Sequence, residues 1–512
     1  VINNKRIAKN VLMLYIRTIL TTGIALYTVR VILDVLGFED YGLYSVVGGT
    51  VALLSFLPNS MASATQRFFS FALGQRDGEK LKRIFSVNLI VYAALGLGSL
   101  LVLETLGLLF VGEHLRVPPE RYDSVLQLYH YSVLTFAVGI ITSPFMAIII
   151  AHEDMHIYAY MAISEALLKL GSVFLLMHLS WDKLELYGLL VLLASVLNSA
   201  AFITICLCRY EECQFRRFNW DKALLREILG FTGWTLFGQL TTVARNQAVT
   251  ILLNQSFNPV VVAARAVSIN IAHKINTLSS NLNIGLYPPI VKSYAAGDNE
   301  GMQKLIFGGS KATFFMMWLF ALPLILEMEA VLALWLKTPP PGAILFARLA
   351  LVEALINAVS MPLMAAARAP GKMAMYESVL GSIQISIFLV SWFVLKMGGP
   401  PYSVFVVAIV ANGVMFLFRF AIIRRLIGVS AKEFFRKVII PVAGVVALSS
   451  VASILLKSNL PDTLAASVGS AVASGLVCAA CIYFLGLDQE WRIKIAGMLQ
   501  KQLAKVSFNR SK

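Results

Sequence analysis

Six basic side chains sit where hydrocarbon would make them expensive. Arg17, Lys169, Arg245, Arg265, Lys274 and Arg348 each interrupt a long apolar stretch. A charge at mid-bilayer costs at least ~2.5–3.5 kcal/mol even on the lenient insertion scale, so each must pair, snorkel or face a cavity. Guanidinium and ammonium groups held out of water are the natural receivers of an anion. Arg30 and Arg419 also lie in apolar stretches, but close to their ends, and read as snorkelling toward the interface. Polar residues accompany the deep cations at helical spacing. Asn270, Lys274, Thr277 and Asn281 follow i, i+4, i+7, i+11; Gln239, Thr242 and Asn246 form a second stripe beside Arg245. Ser55, Asn59, Ser63 and Gln66 make a third, and Arg17, Thr21 and Thr28 a fourth. A lone Ser or Thr in a membrane helix is usually glue between helices. Four stripes together predict a water-filled cationic cleft with Asn59, Ser63, Gln239, Asn246, Asn270 and Asn281 as its polar lining.

The deep acids are Glu165 and Glu353, with Glu104 and Glu377 nearer stretch ends. Glu165 stands four residues before Lys169 on one helical face. That pair is a structural lock, or a site where protonating Glu165 frees Lys169 for an anion. Glu353 has no basic residue three or four positions away, which makes it, with Glu165 second, the candidate for H+ or Na+ coupling. No other cofactor is expected. His152-Glu153-Asp154-Met155-His156 matches H-E-x-x-H, the spacing of two zinc ligands and a general base. A zinc site needs a third ligand, and none stands in a recognisable downstream context, so the string reads as a polar turn between two helices. Cys206, Cys208, Cys213, Cys478 and Cys481 read as small packing residues, and no enzyme active site is expected.

These side chains need membrane helices to position them. The chain of 512 residues is 58% hydrophobic and 14% charged, with mean hydropathy +0.75; soluble domains carry about 25% charge. Fourteen apolar stretches are long enough to cross a hydrocarbon core: 10–33, 43–66, 85–111, 123–150, 156–179, 186–208, 230–254, 260–290, 310–334, 342–367, 374–396, 402–423, 438–456 and 463–485. The first is too long for a signal-peptide core and lacks an A-x-A site after it, so it reads as a span. Lys and Arg in alternate loops number about 29 on one side and about 6 on the other. That asymmetry places both termini in the cytoplasm and accounts for the net charge of +15 as topology and lipid attraction. No nucleic-acid partner is expected. Ala72-Leu73-Gly74-Gln75-Arg76-Asp77-Gly78 and Ala295-Ala296-Gly297-Asp298-Asn299-Glu300-Gly301 share A-x-G-x-x-[DE]-G after the second and eighth stretches. The match predicts two pseudo-symmetric six-helix bundles related along the membrane normal. The expected layout is an all-α integral membrane protein with an N-lobe at 1–208, a linker at 209–229, a C-lobe at 230–425, and two further spans with a basic tail at 426–512. Ser430-Ala431-Lys432-Glu433 has capping-box spacing and predicts an in-plane helix whose Phe434 and Phe435 face lipid. In the tail, Trp491, Ile495, Met498, Leu499 and Leu503 fall on one helical face.

Particular strings add to this. Asn3-Asn4-Lys5-Arg6-Ile7-Ala8-Lys9-Asn10 with Leu14-Tyr15-Ile16-Arg17 resembles the opening of polysaccharide-type oligosaccharide flippases, the Wzx-like branch of the multidrug/oligosaccharidyl-lipid/polysaccharide (MOP) superfamily. So do Val35-Leu36-Gly37-Phe38-Glu39-Asp40-Tyr41-Gly42-Leu43-Tyr44, Val46-Val47-Gly48-Gly49 and Ala62-Ser63-Ala64-Thr65-Gln66-Arg67-Phe68. Ile150-Ala151-His152-Glu153 with Tyr158-Ala159-Tyr160 is similar to that family's turn between spans four and five. The likeness is densest over residues 3–160. It implies a MATE-like, 14-helix, two-lobed alternating-access transporter in the bacterial inner membrane. Such a protein moves undecaprenyl-diphosphate-linked oligosaccharide to the outer leaflet for O-antigen, capsule or exopolysaccharide assembly. The implied partners are lipid-linked oligosaccharide, membrane lipids and glycan polymerase or assembly proteins. The deep cations suit the diphosphate, and Asn, Gln, Ser and Thr suit glycan hydroxyls.

Two rival readings are weaker. A drug or cation extruder of the same superfamily calls for acids on the first and seventh spans, which carry Arg17 and Arg245 instead. A membrane glycan polymerase calls for a large external loop, and the longest here is about 11 residues. The charge asymmetry makes its own prediction. Single cysteines at Gly112 and Gly398 react with an impermeant external thiol reagent, and ones at Gly78 and Ser511 do not. Labelling of Gly78 from outside overturns the assignment of the first lobe.

Overall fold

The computed structural model describes residues 4–52, 54, 56–109, 118–213, 220–257, 259–336, 339–461, 463–489 and 492. Helices carry the fold, and the described residues contain no strand. In chain order they are α1 Asn4–Ala52, α2 Phe56–Gln75, α3 Gly78–Val102, α4 Tyr122–Ala151, α5 Met155–Leu176 and α6 Lys183–Arg209. There follow α7 Lys222–Ser256, α8 Pro259–Ala295, α9 Asn299–Leu326, α10 Met328–Leu336, α11 Ala343–Arg368 and α12 Met373–Lys396. The last are α13 Ser403–Ile427, α14 Ala431–Phe434, α15 Ile440–Ser458 and α16 Leu464–Cys481. Among the described residues, each predicted span falls on one helix or on two consecutive helical segments.

Among the described residues, eleven helices are long and apolar enough to cross a membrane. The three predicted spans outside that set lie on α2, α7 and α8, and each carries one of the polar stripes. Polar content is what lowers them. On the last two spans burial runs inside-out relative to a soluble protein. On α16, Ser470, Ser474, Cys478 and Cys481 are buried, while Leu464, Val468, Val472 and Leu476 are exposed, Leu476 by 67%. α15 repeats the pattern, with Ser449 and Ser453 inside and Leu448, Val451 and Leu455 outside. Small polar residues let helices approach closely, and large apolar ones suit lipid. The chain is a multi-pass membrane protein.

Local chemistry explains the interruptions. Gly37 adopts φ 79, ψ 174 inside α1, a conformation open essentially to glycine alone, and there the chain turns from the first span toward the second. The second, predicted as one stretch over 43–66, is shared between the end of α1 and α2. The ninth stretch breaks at Glu327, between α9 and α10. π-helical turns extend α3 at Leu103–Gly107, join α14 to α15 at Phe435–Ile439, and extend α16 at Ile482–Gly486. Ser430 caps α14, its hydroxyl accepting from the Glu433 amide at 3.4 Å. The in-plane helix expected after it is instead continuous with α15 through the π turn. Phe435 is exposed as predicted, but Phe434 is buried against Phe307, Phe416 and Phe420. The described part of the tail ends at residue 492, so the apolar face from Trp491 to Leu503 lies outside the described residues.

The chain divides into two compact units. The first comprises Val1–Thr241, Ile284–Met302 and Arg368–Ser378; the second comprises Thr242–Asn283, Gln303–Ala367 and Val379–Lys512. In the first, α4 packs against α6, α2 and α3 around Val47, Leu103, Leu128, Tyr129 and Leu184. The A-x-G-x-x-[DE]-G turns are both helix–turn–helix corners, though in a different register from the sequence match. Asp77 accepts from the Lys80 amide and Asp298 from the Gly301 amide, each at 2.9 Å, so Asp77 corresponds to Asp298 rather than to Glu300. In the second unit, Leu253, Ala264, Met328, Leu332, Phe346 and Phe405 form the core beside α7, α8, α11 and α13.

Gly74 tests the packing of the first unit. A Cβ there would lie 2.7 Å from the Lys292 carbonyl oxygen and 2.9 Å from its Cα, backbone atoms that cannot rotate away. Gly74→Val therefore lowers stability by about 1–3 kcal/mol. The check is a thermal-shift measurement in detergent, and an unchanged Tm contradicts the close approach of α2 and α8.

Candidate functional site

Five helices of the second unit, α7, α8, α11, α13 and, through Ile387, α12, surround a cavity of about 180 Å³. α7 supplies Arg245 and Asn246. α8 supplies Arg265, His273 and Asn276, and α11 supplies Glu353 and Asn357. From α13, Val404, Phe405 and Ala408 close the wall. Each set follows the helical repeat, so one face of each helix turns inward. Arg245 Nη1 donates to Glu353 Oε1 at 3.1 Å, and its Nη2 donates to Asn246 Oδ1 at 2.9 Å. Asn412 on α13 donates from Nδ2 to the same Glu353 oxygen at 3.0 Å. Arg265 is only 8% exposed, and its Nη1 donates to the Thr250 hydroxyl. That hydroxyl in turn donates to the Asn246 carbonyl at 2.8 Å. The Nε atoms of Arg245 and Arg265 and Oδ1 of Asn276 are buried with no hydrogen-bond partner among the described residues.

The charge count is the important result. Two guanidiniums and one carboxylate line the cavity; among the described residues the Arg265 side chain hydrogen-bonds a neutral hydroxyl, while the one carboxylate, whose charge reaches Arg265 through space, is bonded by Arg245. A buried cation without a counter-ion is costly, and an entering anion relieves that cost. The lining therefore favours an anion with several acceptor oxygens, flanked by amides able to bond hydroxyls.

The predicted cleft residues separate into groups. Arg245, Arg265, Asn246 and Glu353 converge on the cavity. Glu353, which has no basic residue three or four positions away, is paired with Arg245 from another helix. Arg348 faces elsewhere, its Nε donating to the Ile325 carbonyl at 2.9 Å. That carbonyl lies just before the break at Glu327, where Lys457 donates to the Leu326 carbonyl at 2.5 Å and pairs with Glu327 at 3.2 Å. Glu327 is 3% exposed and also takes the Ser470 hydroxyl at 2.7 Å; it is a deep acid that the sequence reading passed over. Lys274 and Asn270 are exposed and not among the cavity lining, because α8 presents residues 265, 269, 272, 273 and 276 rather than the stripe through 270, 274, 277 and 281. Asn281 is buried and Gln239 half-buried, both outside the lining.

In the first unit, Arg17 lies over the Tyr158 ring at 4.8 Å. Thr21 and Thr28 spend their hydroxyls on carbonyls of their own helix, at 2.8 and 2.7 Å. Lys169 and Glu165 form the expected pair at 2.7 Å, with Asn198 donating to the second Glu165 oxygen at 3.4 Å. Ser63 accepts from Arg368 at 2.6 Å; the Asn59 side chain lies outside the described residues. Arg419, read as snorkelling, is buried, with its Nε lacking a hydrogen-bond partner among the described residues. The first three residues of the H-E-x-x-H string are held by partners, and the His156 ring packs edge-on against Tyr160. His152 bonds Glu212 at 2.6 Å, Glu153 pairs with Lys292 at 2.6 Å, and Asp154 pairs with Arg209 at 3.2 Å. No group of three metal-ligating side chains occurs among the described residues.

Asn412, Asn357, His273 and Asn276 were missed. Asn412 carried a signal, an amide in the middle of an otherwise apolar span, and Asn357 stands four residues after Glu353.

No family model matches the chain, and no curated protein matches it. Solved structures do. A multidrug resistance MATE family transporter of the MOP superfamily, in an outward-facing conformation, superposes with TM-score 0.69 at 15% identity, covering 82% of this chain and 96% of its own. A MATE structure in the bent conformation gives 0.69 at 15%, covering 83% and 97%. A MOP superfamily transporter from Pyrococcus furiosus, described as having a binding pocket of reverse polarity that suggests a different function, gives 0.68 at 14%, covering 82% and 96%. At these identities the likeness is one of fold, and the fold is that of MATE transporters.

Arg348 offers a test of the division of labour. Arg348→Ala leaves the Ile325 carbonyl without its donor and lowers stability by about 1–3 kcal/mol. Thermal unfolding in detergent reads this directly; an unchanged Tm with lost transport returns Arg348 to the ligand-binding set.

Proposed function

We propose that the protein is a flippase for undecaprenyl-diphosphate-linked oligosaccharide, carrying it from the cytoplasmic to the outer leaflet of a bacterial plasma membrane. The observation that carries this reading is the surplus positive charge of the cavity bounded by Arg245, Arg265 and Glu353. A cationic drug would meet repulsion there. A diphosphate meets two forks suited to its oxygens. At about 180 Å³ the cavity is smaller than the ~300–1,000 Å³ of pockets for drug-sized ligands, which suits a headgroup and leaves the glycan outside it. The MATE fold itself does not choose between substrates, since one fold hosts many functions. The family resemblance of residues 3–160 supports the lipid-linked glycan as the choice. In this reading both termini are cytoplasmic and the basic loops lie against anionic lipid. Glycan polymerase or assembly proteins receive the product, and Glu353 or Glu165 couples the cycle to H+ or Na+.

The test is complementation of a strain lacking its own flippase, read as glycan on the cell surface, with membrane insertion of each variant verified. Losing a desolvated cation from a charge-matched site costs about 2–5 kcal/mol, so Arg265→Ala and Arg245→Ala reduce export by more than about tenfold. Wild-type export by Arg265→Ala, or efflux of cationic dyes that this substitution leaves untouched, rejects the reading in favour of a drug or cation extruder.

A further inference from the structure

We propose that Glu353 is an internal stand-in for the substrate's anion, holding Arg245 until an arriving diphosphate displaces it. This deepens the flippase reading and rests on it. Both hydrogen bonds to Glu353, from Arg245 Nη1 at 3.1 Å and from Asn412 Nδ2 at 3.0 Å, fall on one carboxylate oxygen, Oε1. The Arg245 fork is divided, one arm on Glu353 and the other on the neutral Asn246 amide. A divided fork binds a carboxylate less firmly than a two-pronged contact. A diphosphate brings more charge and more acceptor oxygens than one carboxylate.

Arg265 makes the exchange favourable. It faces the same cavity, is nearly buried, and holds only the Thr250 hydroxyl. An anion bridging Arg265 and Arg245 satisfies the surplus cation, which Glu353 alone cannot do. The charged and titratable groups facing this space are Arg245 from α7, Arg265 and His273 from α8, and Glu353 itself from α11; α12 and α13 contribute none to the lining. Once the anion engages both Arg245 and Arg265, no third Lys or Arg in the lining is left to take the released carboxylate. It also loses its bond to Asn412, so headgroup entry undoes a contact between α11 and α13. Selectivity follows. A monoanion replaces Glu353 without net gain, whereas a polyanion gains a second cation.

The experiment is binding of inorganic pyrophosphate to the purified, full-length protein in lipid nanodiscs, by calorimetry, with inorganic phosphate as the comparison. E353Q removes the competitor while keeping the shape, and binds pyrophosphate roughly tenfold tighter than wild type. N412L keeps every charge but frees the carboxylate from one donor, and gives a smaller gain in the same direction. This second variant carries the test if E353Q does not fold. R265A loses binding. Pyrophosphate binding that is equal or weaker in E353Q, with R265A still defective, overturns the proposal, since Glu353 is then part of the receiving site. Absence of pyrophosphate binding in wild type and in both gain variants overturns it as well. Tighter binding in E353Q supports the displacement even where carrier-linked glycan is not exported, an outcome that removes only the flippase reading.

Discussion

A polar group inside hydrocarbon must find its partner within the protein, and this requirement organises the second unit. Where α9 stops at Glu327, two carbonyls come free, and each is met by a long cation, Arg348 for Ile325 and Lys457 for Leu326. Glu327 neutralises one of those cations and takes a serine hydroxyl from α16. A break in one helix is thereby tied to α11, α15 and α16. The same accounting at Arg245 closes on Glu353 and Asn412. At Arg265 it does not close, and that is why the cavity reads as a site rather than as packing.

How far this was legible in the sequence depends on what each signal encodes. Span positions were legible because lipid demands about twenty apolar residues wherever the chain crosses. Arg245, Arg265 and Glu353 stood out for the same reason, as residues too costly to be there without cause. Their pairing was not legible. Arg245 and Glu353 are far apart in the chain, so no i, i+4 rule connects them, and the nearest cation in sequence, Arg348, was claimed by a backbone carbonyl that appears only once α9 breaks. The stripe on α8 does not coincide with the lining of the described cavity. Polar residues occur on two neighbouring faces of that helix, and spacing alone cannot say which one turns inward. Thr21, Thr28 and Thr277 add to a stripe by count, yet their hydroxyls bond carbonyls of their own helix.

Polar content also explains why α2, α7 and α8 fall outside the set of plainly apolar helices. Each holds groups that need water or a partner, and each would be a poor membrane helix alone. Their insertion depends on neighbours. The division into two compact units passes through both α7, after Thr241, and α8, after Asn283.

The π turns at Leu103–Gly107, Phe435–Ile439 and Ile482–Gly486 have an evolutionary reading. A π turn houses one extra residue within a continuous helix. Insertions and deletions are therefore not confined to loops here, and a span can lengthen or shorten by one residue while both its ends stay in place. Beyond each such turn the inward face is carried by different positions in the chain. Descendants of one ancestral transporter can share a backbone yet have no common register inside a span, so any alignment that forbids gaps within helices will match lipid-facing residues of one protein to cavity-facing residues of another.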